Sequence, residues 1–284
     1  QHFKPLLAPI QLLVWEVSAL IQMPTKTGVN APLQRVSTKS GWQKLLSGAG
    51  IFLFHVPPLT LPVIETSPKV WIAFGVFYLL VLFALGIGLH RYFAHRAFKT
   101  SRAFQFVLAL LGGACFGDPI GFSGRHRLHH RYSDTKRDYH GPRHGLWSWL
   151  LGMATAALVF LFGGYSIFAV YCLGWCLVAI HGSFAVNYLC HLGGRRRYET
   201  DDNSSNSFFV AVMLLGEGWH NNHHRYPGAA RAGFFWYEFD GVYYLLKFLS
   251  WLGLVWDLRE VPDAIKHNGV KKVVSEGGRS CESL

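Results

Sequence analysis

Three compact groups of histidines are the residues of this chain most able to carry chemistry. Neutral imidazole is a common metal ligand, and nitrogen-rich ligation suits iron, copper and zinc. Two of the groups share the spacing H-x-x-H-H, which on a helix places all three rings on one face. An isolated histidine is usually an ordinary core or surface residue, but this repeated pattern predicts a metal site. The groups are His90 and His95; His126, His129 and His130; and His220, His223 and His224.

The first pair differs from the others because its members are five residues apart. On an ideal α-helix, His90 and His95 would point about 140° apart. They can face one pocket only if the helix is loosely wound there, or they can straddle two adjacent metals. Eight imidazoles exceed the needs of one four-coordinate zinc, so two metals are predicted. Glu217 and Asp118 lie near the groups and are candidates for a catalytic role or for a hydrogen bond to a ligand.

The groups themselves contain no carboxylate, whereas a di-zinc hydrolase usually has bridging Asp or Glu. Imidazole-rich sites with open positions favour non-haem iron and oxygen chemistry. The five cysteines show no C-x-x-C spacing, which predicts reduced, mostly buried thiols rather than a disulfide framework.

The composition indicates a membrane protein. Hydrophobic residues make up 51% of the 284 and charged residues only 15%, which is apolar for a soluble chain. The net charge of +11 is not accompanied by a nucleic-acid-binding motif. Four membrane spans are predicted at 45–64, 70–89, about 146–162 and about 165–188, the last two separated by Gly163 and Gly164. The apolar segments 104–117, 208–216 and 234–256 are predicted to lie along the interface or in the cap.

The positions of the basic residues give the orientation. All but one of the 27 Lys and Arg residues fall on the same side of these four spans, and the exception is Lys69. The positive-inside rule assigns that side to the cytoplasm. Both termini and all three histidine groups are then predicted on the cytoplasmic face.

Four motifs together resemble the membrane-bound fatty acyl desaturases of the Δ9, stearoyl-CoA desaturase-like type, in their bacterial or plastid form. Box order, spacing and flanking residues match over about 45–260. The motifs are G-x-H-R-x-x-x-H-R-x-F-K-T at 88–100, G-D-P-I at 117–120, H-R-x-H-H-x-x-S-D at 126–134 and G-E-G-W-H-N-N-H-H at 216–224.

The resemblance implies further site residues. The family's N-x-x-x-H element matches Asn187 and His191, which implies a ninth imidazole ligand and an asparagine that holds a metal through water. By analogy, two irons share the nine imidazoles. One iron takes His90, His95, His126, His130 and His224, and the other takes His129, His191, His220 and His223.

The implied reaction uses O2 and two electrons to insert a cis double bond, at Δ9, into a saturated acyl chain. The cofactors are then two Fe²⁺ ions, with O2 as co-substrate. The implied partners are a fatty acyl substrate (acyl-CoA or acyl-lipid), the lipid bilayer and a separate electron donor, either cytochrome b5 or a ferredoxin. The sequence has neither an H-P-G-G haem motif nor a cysteine set for an iron–sulfur cluster, so a fused electron donor is not expected. No nucleic-acid partner is expected either.

Two alternatives remain. A related membrane di-iron hydroxylase or oxygenase shares the metal chemistry and differs in product. A metal transporter would need polar ligands in the middle of its spans, where only His55 and His181 are candidates.

The predicted fold is therefore all-α: an integral, multi-pass membrane protein with four transmembrane helices and a cytosolic helical cap that carries the di-iron site. It would reside in a bacterial inner membrane or an ER-type membrane. The predicted regions are an N-terminal cytosolic or interfacial segment (1–44), a desaturase domain (45–260) and a polar tail (261–284).

Other residues have paired interpretations. The arginines around the boxes either bind an anionic headgroup or acidic donor, or face the membrane surface. Trp147, Trp149 and Trp219 either anchor at the interface or line an acyl tunnel. Asp134 and Asp138 are expected to cap helices or pair with arginines, and His140 is expected to hydrogen-bond a ligand. The arginines in question are Arg91, Arg96, Arg125, Arg131 and 195–197.

Overall fold

The computed structural model describes residues 52–64, 66–135, 138 and 146–267. The described chain is mostly helical, and its two short strands pair antiparallel. Residues 52–59 are helical. The later elements, in chain order, are α1 (Pro68–Leu82), π1 (Phe83–Ala94), β1 (Lys99–Thr100), α2 (Arg102–Ala114), α3 (Pro119–Tyr132), α4 (Leu146–Trp175), π2 (Cys176–Gly182), π3 (Ala185–Leu189), α5 (Cys190–Leu192), α6 (Phe208–Met213), α7 (His220–Arg225), α8 (Gly241–Trp251), β2 (Val255–Trp256) and α9 (Asp263–His267).

The helix formed by α1 and π1 confirms an apolar span at the position predicted for 70–89. It runs continuously over Pro68–Ala94, 27 residues with a mean hydropathy of 2.5 in its most apolar window. That length exceeds the roughly 20 residues needed to cross a hydrocarbon core. Its second half is π-helical, so the turns there are wider than in an α-helix.

The second apolar segment, Leu150–Leu192, is 43 residues long. It does not continue straight, because Gly164 has φ 72° and ψ −179°. The ring centroids of Phe160 and Phe168 are 5.5 Å apart, although eight residues of straight helix would separate them by about 12 Å. The chain therefore folds back at Gly164, which confirms the predicted break and divides the segment into two helical halves.

Helices α2 and α3 form a bent pair that meets at 85°. Ser101 caps α2 by accepting from Phe104 N, and Asp118 caps α3 by accepting from Ile120 N. Asp118 is thus an N-cap, which satisfies one of the free N–H groups of the first turn. The bend turns the second histidine group on α3 toward π1.

The described residues contain two helices long and apolar enough to cross a membrane, or three if the bent pair counts as one span. The first seven residues of the first predicted span, 45–51, lie outside the described residues. Its described part is helical over 52–59 and ends in a turn in which Thr60 N donates to Pro57 O. The four-span topology and the cytosolic cap therefore stay predictions.

The C-terminal third covers one side of π1. Val242, Leu246 and Leu249 of α8 share a core with Ile87 and Leu89. The opposite face of α8 exposes Tyr244, Phe248 and Trp251. Packing continues beyond residue 260, since the buried Val261 joins a cluster with Tyr198, and Tyr198 Oη donates to Lys266 O.

Candidate metal centre

Nine imidazoles converge into two groups that could each hold a metal ion. Within each group, one ligand atom from every residue lies within 4.8 Å of all the others. Every histidine predicted as a ligand belongs to one group or the other. Site A consists of His90, His95, His126, His130 and His223, and site B consists of His129, His191, His220 and His224.

The π-helical winding of π1 brings the first histidine pair together. His95 N donates to His90 O over five residues, the hydrogen bond that defines this helix type. The two ring centroids are 5.0 Å apart, so both rings reach site A. Of the two predicted arrangements, the structure has the loosely wound helix with both rings in one pocket.

The predicted partition of the ligands is wrong at two positions. His224 was expected in the group of His90, and His223 in the group of His191, but the structure exchanges them. The reason is helix geometry. Residues i and i+4 are about 40° apart around an α-helix, so His220 and His224 face the same site, and His223 turns to the other.

The second box obeys the same rule with the opposite assignment. His126 and His130, at i and i+4 on α3, both reach site A, while His129 at i+3 reaches site B. Each H-x-x-H-H box therefore contributes to both sites. Because the boxes interlock in this way, neither α3 nor α7 can shift without disturbing both groups.

The spacing of the ring nitrogens fits a bound metal. The Nε2 atoms of neighbouring imidazoles in site A are 2.8–3.1 Å apart, and those of His191 and His220 in site B are 3.0 Å apart. Two nitrogens at right angles, each about 2.1 Å from one metal, would be about 3.0 Å apart. In addition, His224 Nε2 is buried without a hydrogen-bond partner. A cation would use that lone pair.

Carboxylates orient four of the imidazoles from behind. His90 Nδ1 lies 2.6 Å from Glu217 Oε2, and His224 Nδ1 lies 2.5 Å from Asp202 Oδ2. A carboxylate accepts only from N–H, so these contacts leave Nε2 with its lone pair toward the site. The other two pairs are His191 with Asp134 at 3.0 Å and His129 with Asp138 at 3.1 Å.

Two of these partners extend the sequence-based expectation. Asp134 and Asp138 were expected to cap helices or pair with arginines, and the structure adds a role that was not predicted, because their carboxylates hydrogen-bond imidazoles. Asp202 was not predicted at all. It lies in a polar loop 22 residues before His224, and no local spacing links the two. Glu217 was a candidate for such a role, and its contact with His90 supports that reading.

Burial lowers the pKa of six of the nine imidazoles and so keeps them in the neutral form that binds metal. It lowers the pKa of His220 and His223 far below the ordinary value, and neighbouring imidazoles add to the effect. Burial also lowers the pKa of His224, and the Asp202 carboxylate opposes that shift. Burial alone would raise the pKa of the Glu217 carboxyl, but His90 and Arg91 lower it to about 2. Glu217 is therefore an anion at neutral pH.

Arg91 does not reach the surface. Its side chain is 3% exposed, and it donates to Glu217 Oε1 and Asp240 Oδ1, both at 3.0 Å, and to Ala230 O at 2.6 Å. The proposed contact of this arginine with a headgroup or an acidic donor is thus wrong. Instead, Arg91 ties π1 to the loop before the third box and to the N-cap of α8.

An apolar cavity of about 110 Å³ adjoins both sites. Its walls include Leu82, Leu85 and Val178 from the apolar helices, and His90 and His220 lie at its polar edge. Asn187, on π3, also lines it. The cavity therefore places an apolar volume directly beside the imidazole groups, and the role of Asn187 as a residue that holds a metal through water stays a prediction.

The remaining predicted residues lie away from this cavity or outside the described chain. Trp147 is 71% exposed, whereas Trp219 is buried and donates from Nε1 to Phe239 O. His55 and His181 contact each other, with their Nε2 atoms 3.1 Å apart, and neither belongs to site A or site B. His140 and the side chain of Trp149 lie outside the described residues.

Comparisons with known proteins agree with this geometry. A family model described as Fatty acid desaturase matches residues 141–247. The chain is also 30% identical, over 279 residues, to an acyl-CoA C20 Delta5-desaturase of Anemone leveillei, a match that covers 82% of this chain and 89% of the relative. The chain belongs to the fatty acid desaturase family. It is therefore an oxidoreductase, an acyl desaturase, as the sequence motifs predicted.

Other curated relatives differ in the names of their substrates. The chain is 28% identical over 264 residues to the Delta-9 acyl-lipid desaturase 2 of Arabidopsis thaliana, a match covering 78% of this chain and 86% of the relative. It is 31% identical over 240 residues to the sn-1 stearoyl-lipid 9-desaturase of Synechocystis, covering 70% of this chain and 75% of the relative. These desaturases thus include both acyl-CoA and acyl-lipid types.

Proposed function

We propose that this desaturase inserts a cis double bond at Δ9 of a saturated acyl chain, using O2 and two electrons at a di-iron centre. The observation that carries the proposal is the convergence of two imidazole groups beside one apolar cavity. A centre of this kind needs open positions next to an apolar substrate, and the cavity supplies that space. The Δ9 position is supported by the sequence motifs and by relatives named for this position.

The donor set suits a transition metal such as iron. Sites A and B offer only imidazole nitrogens among their grouped ligand atoms, whereas magnesium and calcium prefer oxygen ligands. We infer that site A holds one iron and site B the other, with Asn187 contributing through water. The bound irons would supply the oxidising power from O2, and a separate cytochrome b5 or ferredoxin would supply the electrons.

The protein's own contribution is to position the acyl chain and to exclude water. Leu82, Leu85 and Val178 form apolar walls against which the methylenes of an acyl chain can pack. Burial of this apolar surface favours binding, but it is non-directional and does not set the register of the chain. The polar edge at His90 and His220 then sets which methylenes lie beside the centre. An apolar wall also limits the water that can compete with the substrate.

The membrane topology completes the proposal. We infer four crossings with sites A and B on the cytoplasmic face. The support is the one-sided distribution of Lys and Arg, the two long apolar helices and the reversal at Gly164. The exposed Trp and Tyr residues of the α8 region, such as Trp236, Tyr244 and Trp251, suit a membrane–water interface.

Expression in a host without this activity tests the proposal. Fatty acids from cells expressing the wild type are compared by mass spectrometry with those from cells expressing His129→Ala. We expect a new monounsaturated acid with its double bond at Δ9 only in the wild type. His267→Ala, which changes a histidine on the exposed C-terminal helix α9, is the matched control and should retain activity.

The products decide between the alternatives. A hydroxylated acid in place of an alkene would show an oxygenase instead. Unchanged lipids despite bound iron and a working reductant would refute the proposal. Comparing acyl-CoA and glycerolipid fractions at early times shows which carrier is used, since the true substrate pool gains the double bond first.

A further inference from the structure

Sites A and B differ in how many of their imidazoles contact a carboxylate. In site B, three of the four rings do so: His129, His191 and His224. In site A, among the residues that the structure describes, His90 alone has a carboxylate partner, Glu217. The number of ligands favours tighter metal binding at site A, but the number of carboxylates that contact the ligands favours tighter binding at site B.

The single carboxylate of site A is also shared. Glu217 Oε2 faces His90, while Oε1 accepts from Arg91, which is itself buried. Arg91 is also paired with Asp240, so the guanidinium offsets only part of the negative charge that His90 receives from Glu217. Site A therefore has one supporting carboxylate, and that carboxylate is shared with a cation.

The carboxylates of site B are supported differently. Asp202 accepts from the Thr200 hydroxyl and from Ser204 N, and Asp134 accepts from Asn203 N. In the described part of the chain, no guanidinium or ammonium group hydrogen-bonds either carboxylate. Their negative charge is therefore directed toward His224 and His191.

This difference should change metal affinity. A carboxylate on Nδ1 raises the basicity of the metal-bound nitrogen, and losing one such partner typically lowers metal affinity 10- to 100-fold. Three partners outweigh one partner that is shared with an arginine. The fifth imidazole of site A is neutral and adds no charge to balance that of a dication.

We propose that site B is the high-affinity metal site and that site A is the exchangeable one, because Asp134, Asp138 and Asp202 act as positioning residues for the imidazoles of site B. The inference rests on the proposed function, since it requires a metal in each group. It identifies site A as the position that empties first when metal is scarce. We expect at least a tenfold difference in dissociation constant between the two sites.

Graded chelation of the wild-type enzyme tests the proposal without any variant. Crystals of the iron-loaded full chain are soaked in increasing concentrations of an iron chelator, and the anomalous signal at the iron edge gives the occupancy of each site. We expect site A to lose iron first while site B stays filled. Earlier loss from site B, or equal loss from both sites, would overturn the proposal.

A variant pair then assigns the cause. In Asp202→Asn, iron release from site B should become 10- to 100-fold easier, while site A is unchanged. Asp201→Asn, which alters the neighbouring exposed carboxylate, is the control and should behave as the wild type. An unchanged site B in Asp202→Asn would also refute the proposed role of the carboxylates.

The outcomes separate this inference from the proposed function. An enzyme that holds two irons and forms double bonds, yet empties site B first, refutes only the difference between the sites. A chain that holds no iron and forms no double bond refutes both.

Discussion

The first and third histidine boxes reach the same centre by different physical means. His90 and His95 are positioned by the winding of π1, a property of the backbone of a long apolar helix. The third box lies on α7, a helix of only six residues, which is too short to be stable by itself. Buried amides hold it instead: Asn206 Oδ1 accepts from Asn221 N and Asn222 N.

The difference shows where the centre is robust and where it is fragile. A long helix inside an apolar core keeps its geometry through many contacts, so a single substitution removes only a small part of what holds it in place. A short helix held by a few hydrogen bonds depends on each of them, since an unsatisfied buried polar group costs about 1–3 kcal/mol. We therefore expect substitutions around the third box to have the larger effects.

Removing the amide support should have the largest effect. In Asn206→Ala, the N–H groups of Asn221 and Asn222 lose their acceptor, and Asn222 Oδ1 loses a donor at 2.8 Å. We expect the free energy of unfolding to fall by about 3 kcal/mol, and both sites to lose metal, because α7 contributes to both. Chemical denaturation in nanodiscs and metal analysis measure the two effects.

The neighbouring Asn203→Ala is the control for this variant, since the side chain of Asn203 is exposed. It should retain the stability and the metal content of the wild type. If Asn206→Ala were as stable as this control, the third box would not depend on its amides.

Neutralising Glu217 should have an intermediate effect, confined to the first box. Glu217→Gln weakens the support of His90 and removes one of the two anions that compensate Arg91. We expect site A to bind metal 10- to 100-fold more weakly, with site B unchanged. Titration of the metal-free protein with Fe²⁺, with the occupancy of each site determined at every step, measures the two affinities. Equal weakening of both sites would contradict the separate positioning of the two boxes.

The same carboxyl predicts a pH dependence. The pKa of Glu217 in the folded state is about 2, below the value of about 4.3 expected for an unfolded chain. Its contribution to stability is therefore present above about pH 4.3 and is lost as the pH falls toward 2. The stability difference between wild type and Glu217→Gln should shrink over that window, and denaturation at several pH values measures it.

A change far from both boxes should have the smallest effect on the metal sites. Gly164 has φ 72° and ψ −179°, a conformation that is essentially restricted to glycine, and apart from its own neighbours along the chain no described residue crowds the place where its Cβ would be. The cost of Gly164→Ala is therefore conformational, about 1–3 kcal/mol, and metal content should not change. Thermal unfolding with iron analysis checks this. Loss of iron would mean that the reversal of the chain also positions the centre.

The sequence predicted the members of the centre better than its arrangement. The H-x-x-H-H spacing was enough to expect shared faces, and the five-residue gap between His90 and His95 predicted either a loosely wound helix or a pair that straddles two metals. The exchange of His223 and His224 was missed because the partition was carried over from the family resemblance. The i, i+4 spacing of His220 and His224 already places those two rings on one side of α7, and the buried amides hold α7 with that side toward site B.

The carboxylates were missed for a different reason. Asp134 and His191 are 57 residues apart, and Asp202 and His224 are 22 apart, so only the folded chain brings them together. Arg91 resembled a surface cation because a charged residue follows an apolar segment. Its burial depends on two anions, Glu217 and Asp240, that come from distant parts of the chain.

Iron content per chain is the most direct test of the central claim, that these imidazoles form two metal sites. The full chain is loaded with Fe²⁺, freed of excess metal and measured for iron and protein. We expect two irons in the wild type and at most one in His95→Ala, which disables site A, and in His191→Ala, which disables site B. Two firmly bound irons in both variants would contradict it.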